Sequence, residues 1–282
     1  CDQVNPVLNE ILEKNGLQIT YEPEITPEQI QNKIENFEVV IVRSRTKITK
    51  DMIDKATKCQ IIARVGVGLD NIDQAAAKEK NIRVINAVEG AMNAVAELVI
   101  GLMLSLAREI PRADREVRNG NWIKKELMGT ELRGKYLGIV GLGNIGKRLG
   151  RLARALNMNI IGYDVVPIDE EFSKEVGLMK ADLGTLLASS DYVSLHVPLL
   201  DSTKHLINAE KMSTMKNTSR IINTSRGGVI DEEALYEFLK DGKLGGAALD
   251  VFEVEPATSN NLATLPNFIS TPHMGAQTKE AQ

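Results

Sequence analysis

The chain has 282 residues, of which 43% are hydrophobic and 26% charged, and a formal net charge of −4. That balance describes a globular chain that can bury a sizeable core, and its interspersed charges argue against a nucleic-acid surface. No 18 consecutive residues are all apolar and the two cysteines, Cys1 and Cys59, suggest no disulfide framework, so the expectation is a cytoplasmic chain without a membrane span.

Along the chain, short runs rich in Val and Ile alternate with helix-length amphipathic patterns. The runs at 37–42, 61–65, 82–86, 136–141, 159–163, 192–195, 220–224, 247–250 and 268–270 predict strands. Their continuous apolar character suits strands buried on both faces of a parallel sheet. Helical patterns lie at 26–35, 50–56, 72–79, 94–108, 145–156 and 232–239, with Thr26-Pro27 and Asp231 as start signals. This alternation predicts an α/β fold with right-handed crossovers. The long apolar helix at 94–108 breaks the rhythm and is followed by Pro111 and a basic, loop-like stretch, Gly120 to Lys125. The predicted organisation is two Rossmann-like or flavodoxin-like domains with parallel sheets. Residues 1–87 form a smaller domain, to which 273–282 return, and 88–272 form a larger domain inserted into it. The start at Cys1 and the helix-start pattern at 278–282 make both ends look trimmed.

Gly141-Leu142-Gly143-Asn144-Ile145-Gly146 follows a predicted strand and opens a helix. Gly141 permits a tight turn, Gly143 lets backbone approach a pyrophosphate, and Gly146 lets helix and strand pack closely. The helix start, with the N–H groups of Asn144 and Ile145, offers donors and a positive dipole end to phosphates. Asp164 closes the next strand, where an acid accepts ribose hydroxyls and repels a 2′-phosphate. The cofactor predicted is therefore NAD rather than NADP.

Three later segments put polar residues at the ends of apolar strands: Asn223 to Gly228, Asp250 to Pro256, and Pro272-His273. Hydride transfer on a 2-hydroxy acid needs a fixed cation for the carboxylate, a base for the hydroxyl proton, and an acid that orients the base. Arg226, His273 and Glu255 suit those roles in turn. Taken singly, each also has a structural reading: Arg226 as a surface residue beside a glycine turn, Glu255 as a solvated charge before Pro256, His273 as a capping group. The chain has three histidines. His196 is the main rival for the base, while His205 sits in a polar loop.

These segments resemble the D-isomer-specific 2-hydroxyacid dehydrogenases over nearly the whole chain. The resemblance carries Gly141 to Gly146 with Asp164, Ala96-Glu97-Leu98 in the long helix, Asn223 to Gly228, Gly246 to Pro256, and Pro272-His273. It implies Arg226, Glu255 and His273 as the catalytic set. It further implies that Asp250 binds the nicotinamide carboxamide and that cofactor contacts lie near Val67, Val197, Thr224, Gly275 and Ala276. Arg43, Ser44, Arg64 and Gly66 would face substrate from the smaller domain. The stretches Ile41 to Ser44, Arg64 to Asn71 and Met128 to Leu132 resemble members that act on a phosphorylated 2-hydroxy acid, for which Arg43, Arg45 and Lys47 would add charge. Members are usually homodimers through the cofactor domain, and Trp122 to Lys125 would reach toward the partner. Val67 stands where members often carry Thr, and Ala91 where they often carry Asn, with Asn93 as its substitute. The C-terminal regulatory domains of many members have no counterpart in this sequence. Two other functions are open: reduction of an unphosphorylated 2-oxo acid, and an NAD(H)-sensing regulator on the same scaffold.

Overall fold

A computed structural model describes residues 1–281, with the backbone alone at Val88 and Glu89. The chain forms two compact units, one of Cys1–Ala91 with the residues from Ala276 onward, the other of Met92–Gly275.

The first unit runs α1 (Pro6–Lys14), α2 (Pro27–Lys33), β1 (Val39–Val42), α3 (Lys50–Lys55), β2 (Ile61–Arg64), α4 (Gln74–Glu79) and β3 (Arg83–Asn86). Its strands pair in parallel in the order β1-β2-β3, with Val40 opposite Ile62 and Ile62 opposite Val84. Thr26 caps α2 in a reciprocal box with Gln29, and Pro27 occupies the first turn, where its missing N–H costs nothing. Such a cap contributes about 1 kcal/mol. Ile30, Ile34, Val42, Ile53, Ile62 and Ala77 form the core, and Cys59 is buried beside them as a free thiol.

The second unit begins within α5 (Val88–Arg108) and continues through α6 (Ile110–Arg118), β4 (Tyr136–Val140), α7 (Asn144–Ala155), β5 (Asn159–Tyr163), α8 (Glu170–Val176), β6 (Met179–Lys180), α9 (Leu183–Ser189), β7 (Tyr192–Leu195), α10 (Ala209–Ser213), β8 (Arg220–Asn223), α11 (Glu232–Lys240), β9 (Gly246–Leu249) and β10 (Phe268–Ser270). All its strand pairs are parallel, in the order β10-β9-β8-β7-β4-β5-β6. The order reverses between β4 and β7, and the crevice of such a sheet lies outside the strand ends at that point. Both faces are buried. Leu137, Ile139, Ile160, Ile222 and Ala248 pack with α5 and α7 on one side, while Val140, Ile161, Val193, Ile221 and Leu249 pack with α9 and α11 on the other. This two-sided burial is why the strands read as unbroken apolar runs.

By length and composition, Gly90–Arg108 is apolar enough to cross a membrane, with a mean hydropathy of 1.7. Its Ala96, Val99, Leu102, Met103, Leu106 and Ala107 pack into the core of the second unit instead. Glu109, in the left-handed region at φ 51°, ends this helix, and Pro111 sits in the first turn of α6. The sequence reading omits α1, α6, β6 and the short helices α8, α9 and α10. A two-residue strand carries no period, and helices of five to seven residues show too few turns for one.

Candidate functional site

The glycine-rich turn leaves β4 and enters α7. Gly141 has φ +92°, and a Cβ there would lie 2.5 Å from the His196 carbonyl oxygen. A Cβ on Gly146 would lie 2.1 Å from the Gly141 carbonyl oxygen, so strand and helix meet too closely for any side chain. A Cβ on Gly143 would meet nothing within 4 Å, and no side chain caps the helix start there. The result is an open, donor-rich cradle at a helix N-terminus, suited to an anion.

Asp164 stands just beyond β5. Its Oδ2 accepts the Leu142 N–H at 2.6 Å and its Oδ1 the Val166 N–H at 3.1 Å. The acid predicted for a ribose therefore also ties the glycine turn to the neighbouring strand, a contact across 22 residues that no local pattern announces. Val197 follows β7, with its Cγ1 3.0 Å from the position of a Cβ on Gly141. At the end of β8 the Thr224 hydroxyl is buried and has no hydrogen-bond partner among the described residues. An orphaned buried hydroxyl is costly unless a ligand satisfies it. Cradle, acid and orphaned hydroxyl together fit a dinucleotide.

The residues predicted for acid–base chemistry follow three adjacent strands. After β8, Asn223 shapes the turn: its Nδ2 donates to the Arg226 carbonyl at 2.8 Å, and its Oδ1 accepts from the Ser225 N–H and hydroxyl. The Arg226 guanidinium donates to the Ser225 carbonyl at 2.5 Å. A Cβ on Gly227 would lie 1.8 Å from the Phe252 carbonyl oxygen, so this turn rests directly on the segment after β9. There Glu255 precedes a cis peptide to Pro256. Its Oε1 accepts the Phe252 N–H at 3.1 Å, and its Oε2 lies 2.8 Å from His273 Nδ1. His273 follows β10 in the left-handed region at φ 53°. Its side chain is 52% exposed against 37% for Glu255, so the pair opens to solvent.

Asp250 is 1% exposed. It accepts the Thr271 hydroxyl at 2.6 Å, the Met274 N–H at 2.8 Å and the Gly275 N–H at 2.9 Å. The Glu253 N–H donates to Glu232, and Glu253 accepts the Glu232 N–H at 3.2 Å, an interlock that holds the Glu255 segment to α11. Burial pushes the Glu232 carboxyl up. Sequence reading missed this interlock, because its partners lie 21 residues apart and look like ordinary surface acids.

His196 lies beside the Ser194 hydroxyl at 2.9 Å, and burial lowers its pKa to about 4. It is held neutral and engaged beneath the glycine turn. His205 is partly exposed and bonds Glu253 at 3.1 Å.

In the first unit Arg43, Ser44, Arg64 and Gly66 lie at the ends of β1 and β2. Arg64 Nη2 donates to the Ser44 hydroxyl at 3.2 Å, and a Cβ on Gly66 would lie 2.5 Å from Arg64 Nη1. Arg43 reaches the Gln3 carbonyl at 3.2 Å. Asn71 pins the turn by donating to the carbonyls of Arg43 and Thr46. Arg45 departs from the reading of a free basic cluster: its guanidinium bonds the buried carboxylate of Asp2 at 3.0 Å and the carbonyls of Cys1 and Pro23. The Val67 carbonyl accepts from Asn86. Ala276, the last predicted cofactor residue, opens the return segment of this unit. Among the described residues no group of three or more His, Cys, Asp or Glu is arranged to hold a metal.

Residues 100–275 match the family described as D-isomer specific 2-hydroxyacid dehydrogenase, NAD binding domain. The chain is 48% identical to a D-3-phosphoglycerate dehydrogenase of Methanocaldococcus jannaschii, over 96% of this chain and 52% of that one. It is 46% identical to a hydroxypyruvate reductase of Thermotoga maritima, over 96% of this chain and 88% of that one. Among solved structures it resembles a D-lactate dehydrogenase of Aquifex aeolicus complexed with NAD and lactic acid, at 32% identity and TM-score 0.85, covering 98% of this chain and 87% of that one. The chain spans about half the length of the D-3-phosphoglycerate dehydrogenases it matches.

Proposed function

Since the chain belongs to the D-isomer-specific 2-hydroxyacid dehydrogenase family and carries its NAD-binding domain, we propose that it oxidises 3-phospho-D-glycerate to 3-phosphohydroxypyruvate, the opening step of phosphorylated serine biosynthesis. The observation that carries the chemistry is the 2.8 Å pair of His273 Nδ1 and Glu255 Oε2. With Nδ1 donating to the carboxylate, Nε2 is left as the basic nitrogen, able to take a hydroxyl proton. Glu255 then holds the ring and stabilises the imidazolium formed as the proton arrives. Arg226 grips the substrate carboxylate, and NAD, when bound, supplies the hydride acceptor. Gly141, Gly143, Asn144, Ile145 and Gly146 hold its pyrophosphate, Asp164 its ribose, and Val67, Val197, Thr224, Asp250, Gly275 and Ala276 line its site. In this reading Arg43, Ser44, Arg64 and Gly66 are substrate-binding residues.

A phosphorylated substrate is supported by the similarity to D-3-phosphoglycerate dehydrogenases. A hydroxypyruvate reductase is the second reading. It is favoured by the relative matched over 88% of its length and by Arg45, whose charge is taken up by Asp2. NADH consumption with phosphohydroxypyruvate and hydroxypyruvate side by side separates them. A large preference for the phosphorylated acid supports the first reading, and none overturns it in favour of the second.

A homodimer through the second unit is part of this reading. Exposed apolar side chains on that unit support it: Ile110 at 50%, Val117 at 55%, Trp122 at 82% and Met128 at 88%. Sedimentation of the native chain and of Trp122→Glu tests it, a dimer and a weakened dimer being expected.

A further inference from the structure

His273 adopts a left-handed backbone conformation that strains a non-glycine residue. Something in its surroundings must over-determine that turn. Residues 271–275 carry no glycine before Gly275, and the local bond from the His273 N–H to the Thr271 carbonyl is long, at 3.1 Å. The constraint comes from one side chain at the end of the neighbouring strand. Asp250 accepts from the Thr271 hydroxyl and the Met274 N–H on one carboxylate oxygen and from the Gly275 N–H on the other. Its own carbonyl accepts the His273 N–H at 2.8 Å. Residues 271, 273, 274 and 275 are thus all bonded to this one residue, which is 1% exposed. A Cβ on Gly275 would come within 3.2 Å of Asp250 Oδ2, so the segment folds tightly round the carboxylate.

We propose that Asp250 is the positioning residue of the acid–base pair: it folds the 271–275 turn round its carboxylate and thereby aims the His273 ring at Glu255. The proposal rests on the dehydrogenase reading for its consequence in turnover, and on geometry alone for its consequence in the ring's position. A buried carboxylate is expensive to desolvate, and charge-assisted bonds from two backbone N–H groups and a hydroxyl offset that cost. Asn has nearly the same shape but only one acceptor oxygen. In Asp250→Asn an amide N–H₂ must face backbone donors on at least one side, so the turn loses bonds and gains a donor–donor conflict. His273 then leaves the left-handed region and its ring leaves Glu255. An ångström of such displacement costs on the order of a hundredfold in turnover.

The test compares native chain, Asp250→Asn and Thr271→Val by proton NMR of the imidazole N–H and by turnover with NADH and either phosphohydroxypyruvate or hydroxypyruvate. The native chain is expected to show a downfield signal for the His273 Nδ1–H bonded to Glu255, identified by its loss in Glu255→Gln. Asp250→Asn should lose that signal and about a hundredfold in kcat, with the fold retained by circular dichroism. Thr271→Val, which removes one of the bonds, should show a smaller loss of the same kind. If Asp250→Asn keeps the His273 signal and weakens only NADH binding, the residue is a cofactor contact and the proposal falls. If Asp250→Asn unfolds, Thr271→Val decides, and an unchanged signal with unchanged kcat in that variant overturns the proposal. If the signal is lost as expected but the native chain turns over neither acid, the positioning role stands and the dehydrogenase reading fails.

Discussion

One carboxylate, that of Glu255, accepts the Phe252 N–H through Oε1 and lies 2.8 Å from His273 Nδ1 through Oε2. The first bond orients the acid within its own segment and the second spends that orientation on the histidine. Glu255→Gln keeps an acceptor for one partner but not both, so the ring loses its tautomer control. Turnover should fall at least about a hundredfold, while NADH affinity measured by fluorescence changes little.

His273→Ala removes the proposed base and leaves the glycine turn untouched. Turnover should fall by roughly 10²–10⁴-fold, with NADH binding nearly intact. Unchanged turnover would discard His273 as the base.

Two glycines of the same turn should behave in opposite ways. Gly146→Ala sets a methyl 2.1 Å from the Gly141 carbonyl oxygen, which forces α7 away from β4. It should destabilise the fold by about 1–3 kcal/mol as well as weaken NADH binding. Gly143→Ala meets nothing within 4 Å. That variant should melt like the native chain yet bind NADH poorly, because the methyl enters the space a pyrophosphate needs. Calorimetry and fluorescence titration on both variants check the pair.

Asp164→Ala removes a carboxylate that holds the Leu142 N–H at 2.6 Å. NADH affinity should fall about tenfold or more, as for loss of a hydrogen bond to a charged group. Discrimination against NADPH should narrow, since the repulsion of a 2′-phosphate disappears. Titration with both cofactors measures it.

The His196 imidazole gives the fold a pH dependence of its own. Its pKa is lowered from 6.5 to about 4. Between those values the unfolded chain binds the proton and the folded chain does not, so stability declines as pH falls from about 6.5 toward about 4, costing about 3 kcal/mol in all. His196→Gln should flatten that part of the denaturant-midpoint curve against pH. An identical slope in the variant would assign the acid sensitivity to other groups.

Val- and Ile-rich runs and a glycine turn between strand and helix are local patterns, and among the described residues nine of the ten strands are legible in the sequence for that reason, although β3 and β10 are less buried than a two-sided reading of such runs implies. The Asp231 and Thr26 caps are equally local and stand where the start signals put them. What the sequence does not show is long-range pairing. Nothing near Asp2 announces that it will neutralise Arg45, and so the cluster of Arg43, Arg45 and Lys47 looks freer in sequence than in the fold. Likewise nothing in Asp250 to Pro256 announces that the Asp250 carboxylate is used by a turn 21–25 residues further on. Residue types name the chemistry a site could hold, while topology decides which of them are spent on structure.

The second unit starts and stops in one place. A Cβ on Gly275, its last residue, would lie 3.3 Å from the Val95 side chain near its first. Between those two points the polypeptide is continuous and contains the glycine turn, Asp164, Arg226, Glu255 and His273. A chain whose ends meet closes its loop at little entropic cost and can be cut elsewhere and rejoined there. The nucleotide-binding half is therefore a cassette: residues 92–275 could be transplanted as a single stretch, or permuted by joining those ends through a short linker, with every residue assigned here to proton transfer carried along.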